Sequence, residues 1–155
     1  MISGRLESLV TEHPFFKGFA SRYIELMVGS AAEMDFEPRE IIFRAGEEAK
    51  HFYLLRHGRV AIEVFSHERG PVAIETVDAG EVLGWSWLVE PYQWHFDAQA
   101  IESTEIIAFD AQVIRQVSAA DPPFGYALLS RFRPLIVQRL EATRIQLLDL
   151  YHVHT

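Results

Sequence analysis

The chain contains no cysteine. A disulfide framework, Cys-ligated zinc, an iron–sulfur cluster and thiol catalysis are therefore excluded. The amino terminus, MISGRLESLV, has no long apolar run. Neither a signal peptide nor a membrane anchor is expected there. Basic residues are scarce as well, with 14 Lys and Arg against 22 Asp and Glu and a formal net charge of -8. A protein that coats nucleic acid needs clustered cations to neutralise phosphates, so this balance argues against one. The scarcity has an address: from Gly70 to Ile114 there is no Lys or Arg, only acids such as Glu75, Asp78, Glu81, Glu90 and Asp97. The segments on either side nearly cancel. What remains is 155 residues, 49% hydrophobic and 23% charged, ordinary for one globular domain. A chain of this size buries roughly 68–70% of its unfolded surface. A single soluble cytoplasmic domain over 1–155 is the expectation, with no internal linker and no low-complexity stretch.

Three regions follow from the patterning. Residues 1–31 read as short helices: Leu6, Leu9 and Val10 share one stripe, and Tyr23, Ile24, Met27 and Val28 another. Between them His13-Pro14-Phe15-Phe16-Lys17-Gly18-Phe19 breaks the period, because Pro14 pushes His13 out of the α region. Residues 32–110 read as short strands between turns. Ile41-Ile42-Phe43 and Phe52-Tyr53-Leu54-Leu55 are apolar runs; Val60, Ile62 and Val64 alternate, and Val72, Ile74 and Thr76 share a face. Glycines at 46, 58, 70, 80 and 84 punctuate the run at the spacing of a small all-β roll, with Ile106-Ile107-Ala108-Phe109 as the last strand. Residues 111–151 are helical again. Val113, Ile114 and Val117 form a short helix that ends near Asp121-Pro122-Pro123. A long helix follows, with Leu128, Leu129, Phe132, Leu135, Ile136, Leu140, Leu147, Leu148 and Tyr151 on one flank and Pro134 expected to bend it.

This order resembles the cyclic-nucleotide-binding domain, the sensor module of catabolite-activator and Fnr-type regulators. His13-Pro14-Phe15-Phe16 resembles the family's entry helix. Gly46-Glu47, Phe52 to Leu55 and Gly58-Arg59-Val60 resemble its glycine-marked hairpins, and Gly80-Glu81-Val82-Leu83-Gly84 the lead into its phosphate-binding cassette. Arg139-Leu140, then Thr143, resemble the part of the long helix that approaches the purine. The resemblance implies a mainly β, double-stranded β-helix with short amino-terminal helices and a long carboxy-terminal helix. It also implies a non-enzymatic ligand-sensing function.

The cassette departs from the family pattern. The typical run, Phe-Gly-Glu-Leu-Ala followed after a short loop by Pro-Arg-Ser/Thr-Ala, holds the ribose with its Glu and the cyclic phosphate with its Arg. Here Gly84 is kept, Trp85 stands at the Glu position, and Ser86 and Trp87 follow. Trp94 falls at the Arg position, or Gln93 or His95 if the alignment slides by one residue. An anion buried without a partner is costly, and Gln or neutral His is a weak substitute for a guanidinium. Backbone N–H groups after Gly84 offer a weaker cradle, and Arg144 on the long helix is the arginine expected to reach in. The ligand, a cyclic nucleotide or another small planar molecule, is thus expected among Gly84–Trp87, Gln93–His95, Thr143 and Arg144.

Three alternatives bear on this reading. Trp85, Trp87 and Trp94 either form a stacking pocket or fill the interior left by a missing nucleotide, which would make a ligand-free interaction module. A cupin-like metal site would need a His-x-His pair on barrel strands. His51, His57, His67 and His95 are scattered, and the close pair His152-x-His154 lies at the very end. Gly84-Trp85-Ser86-Trp87-Leu88 lacks the second glycine of a nucleophile elbow, and Glu90 and Asp97 read as solvated loop acids. The wide apolar flank of the long helix predicts a homodimer through that helix. No recognition helix or basic stripe is present before Thr155, so no DNA binding by this chain is expected.

Overall fold

The structure is a computed structural model that describes residues 2–153, with side chains over 4–149. The Tyr151 and His152 side chains, and His154 altogether, lie outside the described residues. The chain divides into two compact units, one running to Val117 and one starting at Ser118.

The first unit opens with α1 (Ile2–Glu12), a 3-10 turn at Pro14–Phe16 and α2 (Ser21–Val28). Leu6 and Val10 of α1 and Ile24 and Met27 of α2 are buried, as the two apolar stripes predict. Seven strands follow: β1 (Ala31–Phe36), β2 (Ile41–Phe43), β3 (His51–His57), β4 (Arg59–Ser66), β5 (Gly70–Asp78), β6 (Asp97–Ala100) and β7 (Thr104–Asp110). They form two antiparallel sheets, one ordered β1-β7-β3 and the other β2-β6-β4-β5. Sequence-adjacent strands lie in different sheets except for β4, β5 and β6, which share the second one, and this is the crossing pattern of a β-roll. The first residues of α3 (Ala111–Ala120) close this unit, with Ala111 and Ile114 buried.

One glycine is required by contact. Gly58, between β3 and β4, has φ +99°, and a Cβ there would lie 2.5 Å from both Ser103 O and Thr104 Oγ1. Only glycine turns the chain in that space.

The β4–β5 hairpin departs from simple alternation. Ile62 pairs with Glu75 and Glu63 with Ala73, which leaves Ile74 as an extra residue on β5. The bulge shifts the phase of the strand. Val72, Ile74 and Thr76 therefore do not share an inward face: Ile74 and Thr76 are exposed and Val77 is buried. On β4 the residues Val60, Ala61 and Ile62 are all buried, while Val64 and Phe65 reach solvent at the hairpin tip.

The core is aromatic. Phe52 of β3 lies 5.0 Å from Phe109 of β7 and 5.7 Å from Phe15, and Phe16 lies 6.0 Å from Phe109. His13 locks this corner: its Nδ1 accepts from Phe15 N at 3.1 Å, so its Nε2 carries the proton and donates to Leu55 O at 2.9 Å. The sequence pattern marks this segment only as a turn.

The second unit is dominated by α4 (Pro122–Val153). Pro122 and Pro123 occupy its first turn, where the missing N–H groups cost nothing, and Asp121 Oδ1 accepts from Phe124 N at 3.3 Å. Phe124, Leu128 and Phe132 recur every fourth residue and are buried. Beyond them Val137, Leu140, Ile145, Leu147 and Leu148 are exposed. The helix runs through Pro134, which offers no N–H to the carbonyl one turn back.

Candidate functional site

The cassette is a loop fixed at both ends. At its start, Gly80 N donates to Leu55 O at 2.9 Å, Leu55 N to Glu81 O at 3.0 Å, and Leu83 N to Tyr53 O at 3.0 Å. Residues Gly80 to Leu83 thus ride on β3. At its end, Ala49 N donates to Tyr92 O at 2.6 Å, Trp94 N to Glu47 O at 2.9 Å and Gly46 N to Trp94 O at 2.7 Å. Gln93, exposed, is paired through its backbone with Glu48.

Between these anchors Gly84 takes φ +87°, and a Cβ there would lie 3.0 Å from Trp94 Cζ3. The backbone then makes a single 3-10 turn at Ser86–Leu88. The backbone N–H groups offered by the sequence as an anion cradle after Gly84 lie in this single turn. Tyr92 sits at φ 58°, in the left-handed region that non-glycine residues seldom occupy.

The three tryptophans take different positions. Trp87 is buried and stacks on Phe52 at 5.1 Å with an 8° interplanar angle, so it belongs to the aromatic core. Trp94 is also buried, lying flat on Phe43 at 3.8 Å and 8°, with Tyr53 at 6.2 Å beyond. Trp85 and Ser86 are half-exposed, and His95 is exposed with its ring 6.3 Å from Phe96. Phe43 and Tyr53, which set the position of Trp94, read in the sequence only as strand residues.

A guanidinium within the first unit does reach the cassette, that of Arg115. Arg115 reaches from α3, donates through Nη1 to Trp87 O at 2.7 Å, and places its Cζ 3.9 Å from the centre of the Tyr92 ring. It stands one residue beyond the base-free stretch and carried no motif of its own. Arg144 is exposed and 3.8 Å from Glu141 Oε1, within its own helix. Thr143 is exposed too, and its Oγ1 donates to Arg139 O at 2.9 Å. Of the two acids considered, Glu90 is exposed, while Asp97 Oδ1 accepts from Ala45 N at 2.8 Å and so fixes a turn.

Beside Trp94 lies an open pocket of ≈ 430 Å³, bounded by β2, the 46–50 loop and β3. Burial, and next the charge of Glu47, push the Tyr53 phenol up to about 12. Burial also lowers the His51 pKa, and Tyr53 Oη lies 3.3 Å from His51 Nδ1. Among the described residues no group of three or more His, Asp or Glu is placed to hold a metal ion. Nor is any described helix long and apolar enough to cross a membrane.

Comparison with known proteins agrees with the fold. Residues 33–121, more than half of the chain, match the family model described as cyclic nucleotide-binding domain. The chain belongs to that family. Among solved structures it is similar to a putative cyclic nucleotide-binding protein from Geobacter metallireducens, at 21% identity and TM-score 0.76, with 90% of this chain and 98% of that one covered. It is also similar to a cyclic nucleotide-binding domain from Methylobacillus flagellatus, at 16% identity and TM-score 0.77, covering 96% and 83%. A third is the sensor domain of the transcriptional regulator DNR from Pseudomonas aeruginosa, at 19% identity and TM-score 0.71, covering 90% and 94%. Identities this low speak for the fold alone. No curated protein matches the chain in sequence.

Proposed function

We propose that this chain is a non-catalytic, cytoplasmic regulatory domain whose cassette is altered so that unmodified cyclic AMP and cyclic GMP bind weakly. One observation carries the reading: Trp94, at the position expected for the phosphate-binding arginine, lies buried on Phe43 and against Gly84. An indole in that place occupies volume and offers the phosphate no positive charge. The electrostatics support the same conclusion, since Gly70–Ile114 holds acids and no bases. The one guanidinium described at the cassette, Arg115, is engaged with Trp87 O and Tyr92.

Calorimetric titration with both nucleotides tests the reading. Dissociation constants near millimolar are expected, about 4 kcal/mol weaker than a micromolar site. Micromolar binding of either nucleotide would overturn it.

A second reading is a ligand-free interaction module, and the burial of Trp87 and Trp94 to 1% and 3% exposure favours it. In either case we propose a homodimer through α4. Val137, Leu140 and Leu147 are exposed apolar residues spaced three and then seven apart, the spacing of a helix–helix seam. A mass of two chains by light scattering is expected, falling to one in the Leu140→Glu/Leu147→Glu variant. A wild-type monomer at the same concentration would remove this part of the proposal.

A further inference from the structure

Three parts of the first unit meet at one carbonyl, and His13 is the side chain that joins them. Its ring is only 5% exposed. Nδ1 accepts from Phe15 N at 3.1 Å, which shapes the Pro14–Phe16 turn, and Nε2 donates to Leu55 O of β3 at 2.9 Å. The same carbonyl accepts from Gly80 N at 2.9 Å, where the lead into the cassette begins. Pro14 closes the junction, with its Cγ 3.5 Å from the position that a Cβ on Gly80 would take. Beyond it the turn seats Phe15 against Phe52 and Phe16 against Phe109.

This geometry accepts one protonation state. With Nδ1 as acceptor and Nε2 as donor, the ring is neutral. A second proton has to enter at Nδ1, where it faces the Phe15 N–H. Two donors then oppose each other in a buried place, and neither has an acceptor. The bond to Leu55 O tolerates the charge, but the turn around Phe15 does not.

The surroundings do little to rescue a charged ring. Burial disfavours it first, the Leu55 carbonyl favours it, and Arg56 of β3 disfavours it again, so the pKa lies below the ordinary 6.5. Glu12 at the end of α1 is exposed. Asp78 and Glu81, which flank Gly80, are exposed as well, and their carboxylates are engaged by Arg59 and by Asp78 N. The roll, in contrast, is held by strand pairing and by the stacks of Phe52 on Phe109 and Trp87, none of which uses His13.

We infer that His13 is a proton-operated latch. Neutral, it holds the Pro14–Phe16 turn on β3 at the root of the cassette; charged, it releases that turn while the roll stays folded. The latch goes beyond the nucleotide reading, because it concerns how the amino-terminal segment is fastened, whatever the cassette binds.

Amide hydrogen exchange on the full chain, from about pH 8 down to about pH 4.5, tests this alongside NMR titration of the His13 ring. Protection at Phe15 and Phe16, corrected for the intrinsic pH dependence of exchange, is expected to fall about tenfold per pH unit below 6.5. It should level off once the folded form binds the proton. The Gly80 amide signal should move with the His13 ring, while Ile106–Phe109 keep their protection. In His13→Asn, whose side-chain oxygen still accepts from Phe15 N, the fall should disappear. Flat protection at Phe15 while the ring titrates would overturn the inference. So would loss at Ile107 in step with Phe15, a ring that stays neutral until the roll unfolds, or an unchanged slope in His13→Asn. The wild-type measurement decides alone where the variant does not fold.

Discussion

Arg115 joins two parts of the cassette that the backbone leaves apart. One N–H meets the Trp87 carbonyl and the guanidinium plane covers Tyr92. A charge-assisted hydrogen bond contributes about 1.5–3 kcal/mol and an exposed cation–π contact about 0.5–1 kcal/mol. Arg115→Ala is expected to destabilise the fold by roughly 2 kcal/mol and to raise amide exchange over residues 86–92 selectively. Loss of stability without that local change would argue against a latch. His13 gives a pH dependence of known sign. Burial lowers its pKa from the ordinary 6.5, so the unfolded chain binds the proton more readily. Its contribution is complete above pH 6.5 and is lost as pH falls through the lowered folded-state value. His51 is shifted the same way. Denaturation midpoints measured across this range should drop toward acid, and less steeply in His13→Asn, which keeps an acceptor for Phe15 N. An unchanged slope in that variant would show that His13 is not the source.

At the scale of elements, the packing of Trp94 on Phe43 ties the end of the cassette to β2. Trp94→Ala removes a buried aromatic and is expected to cost about 3–5 kcal/mol, read from chemical denaturation. A cost below about 1 kcal/mol would mean that the roll collapses into the space. Pro134 has the opposite sign. It sits inside α4 without an N–H to donate, so Pro134→Ala should raise the melting temperature by the equivalent of about 1 kcal/mol or more. The element order, both helical ends and the glycine-marked turns were legible in the sequence, because periodicity and punctuation are local properties. The Ile74 bulge was not, since one extra residue is recognisable only against its partner strand. Nor was the separation of the tryptophans. Trp87 and Trp94 face different aromatic neighbours, Phe52 and Phe43, and spacing alone does not distinguish them. Arg115 escaped for a third reason: it meets Trp87 across 28 positions of chain.

Across the whole molecule, charge is divided unevenly. On the outer side of the β1-β7-β3 sheet it is balanced: Glu33 lies within ion-pair distance of Arg5 and Arg56, and Glu105 of Arg56 and His57. The stretch that holds the cassette has no such relief within its own sequence. Exposed pairs of this kind contribute little, about 0–1 kcal/mol each, and salt screens them. Removing the Glu33 pairs with Glu33→Gln should therefore leave the denaturation midpoint nearly unchanged and the NMR shifts of residues 84–94 in place. Shifts that spread into the cassette would show that the two surfaces are coupled.

The double anchoring of the cassette has one more consequence. Gly80–Leu83 is fastened to β3 and residues 92–94 to the 46–49 loop, so the length between these anchors is 84–91 alone. Its middle is held by Trp87, stacked on Phe52 of β3, and by the side chain of Arg115, which comes from α3. The cassette is therefore a short span with fixed ends, tied at its centre to β3 through Trp87 and to α3 through Arg115.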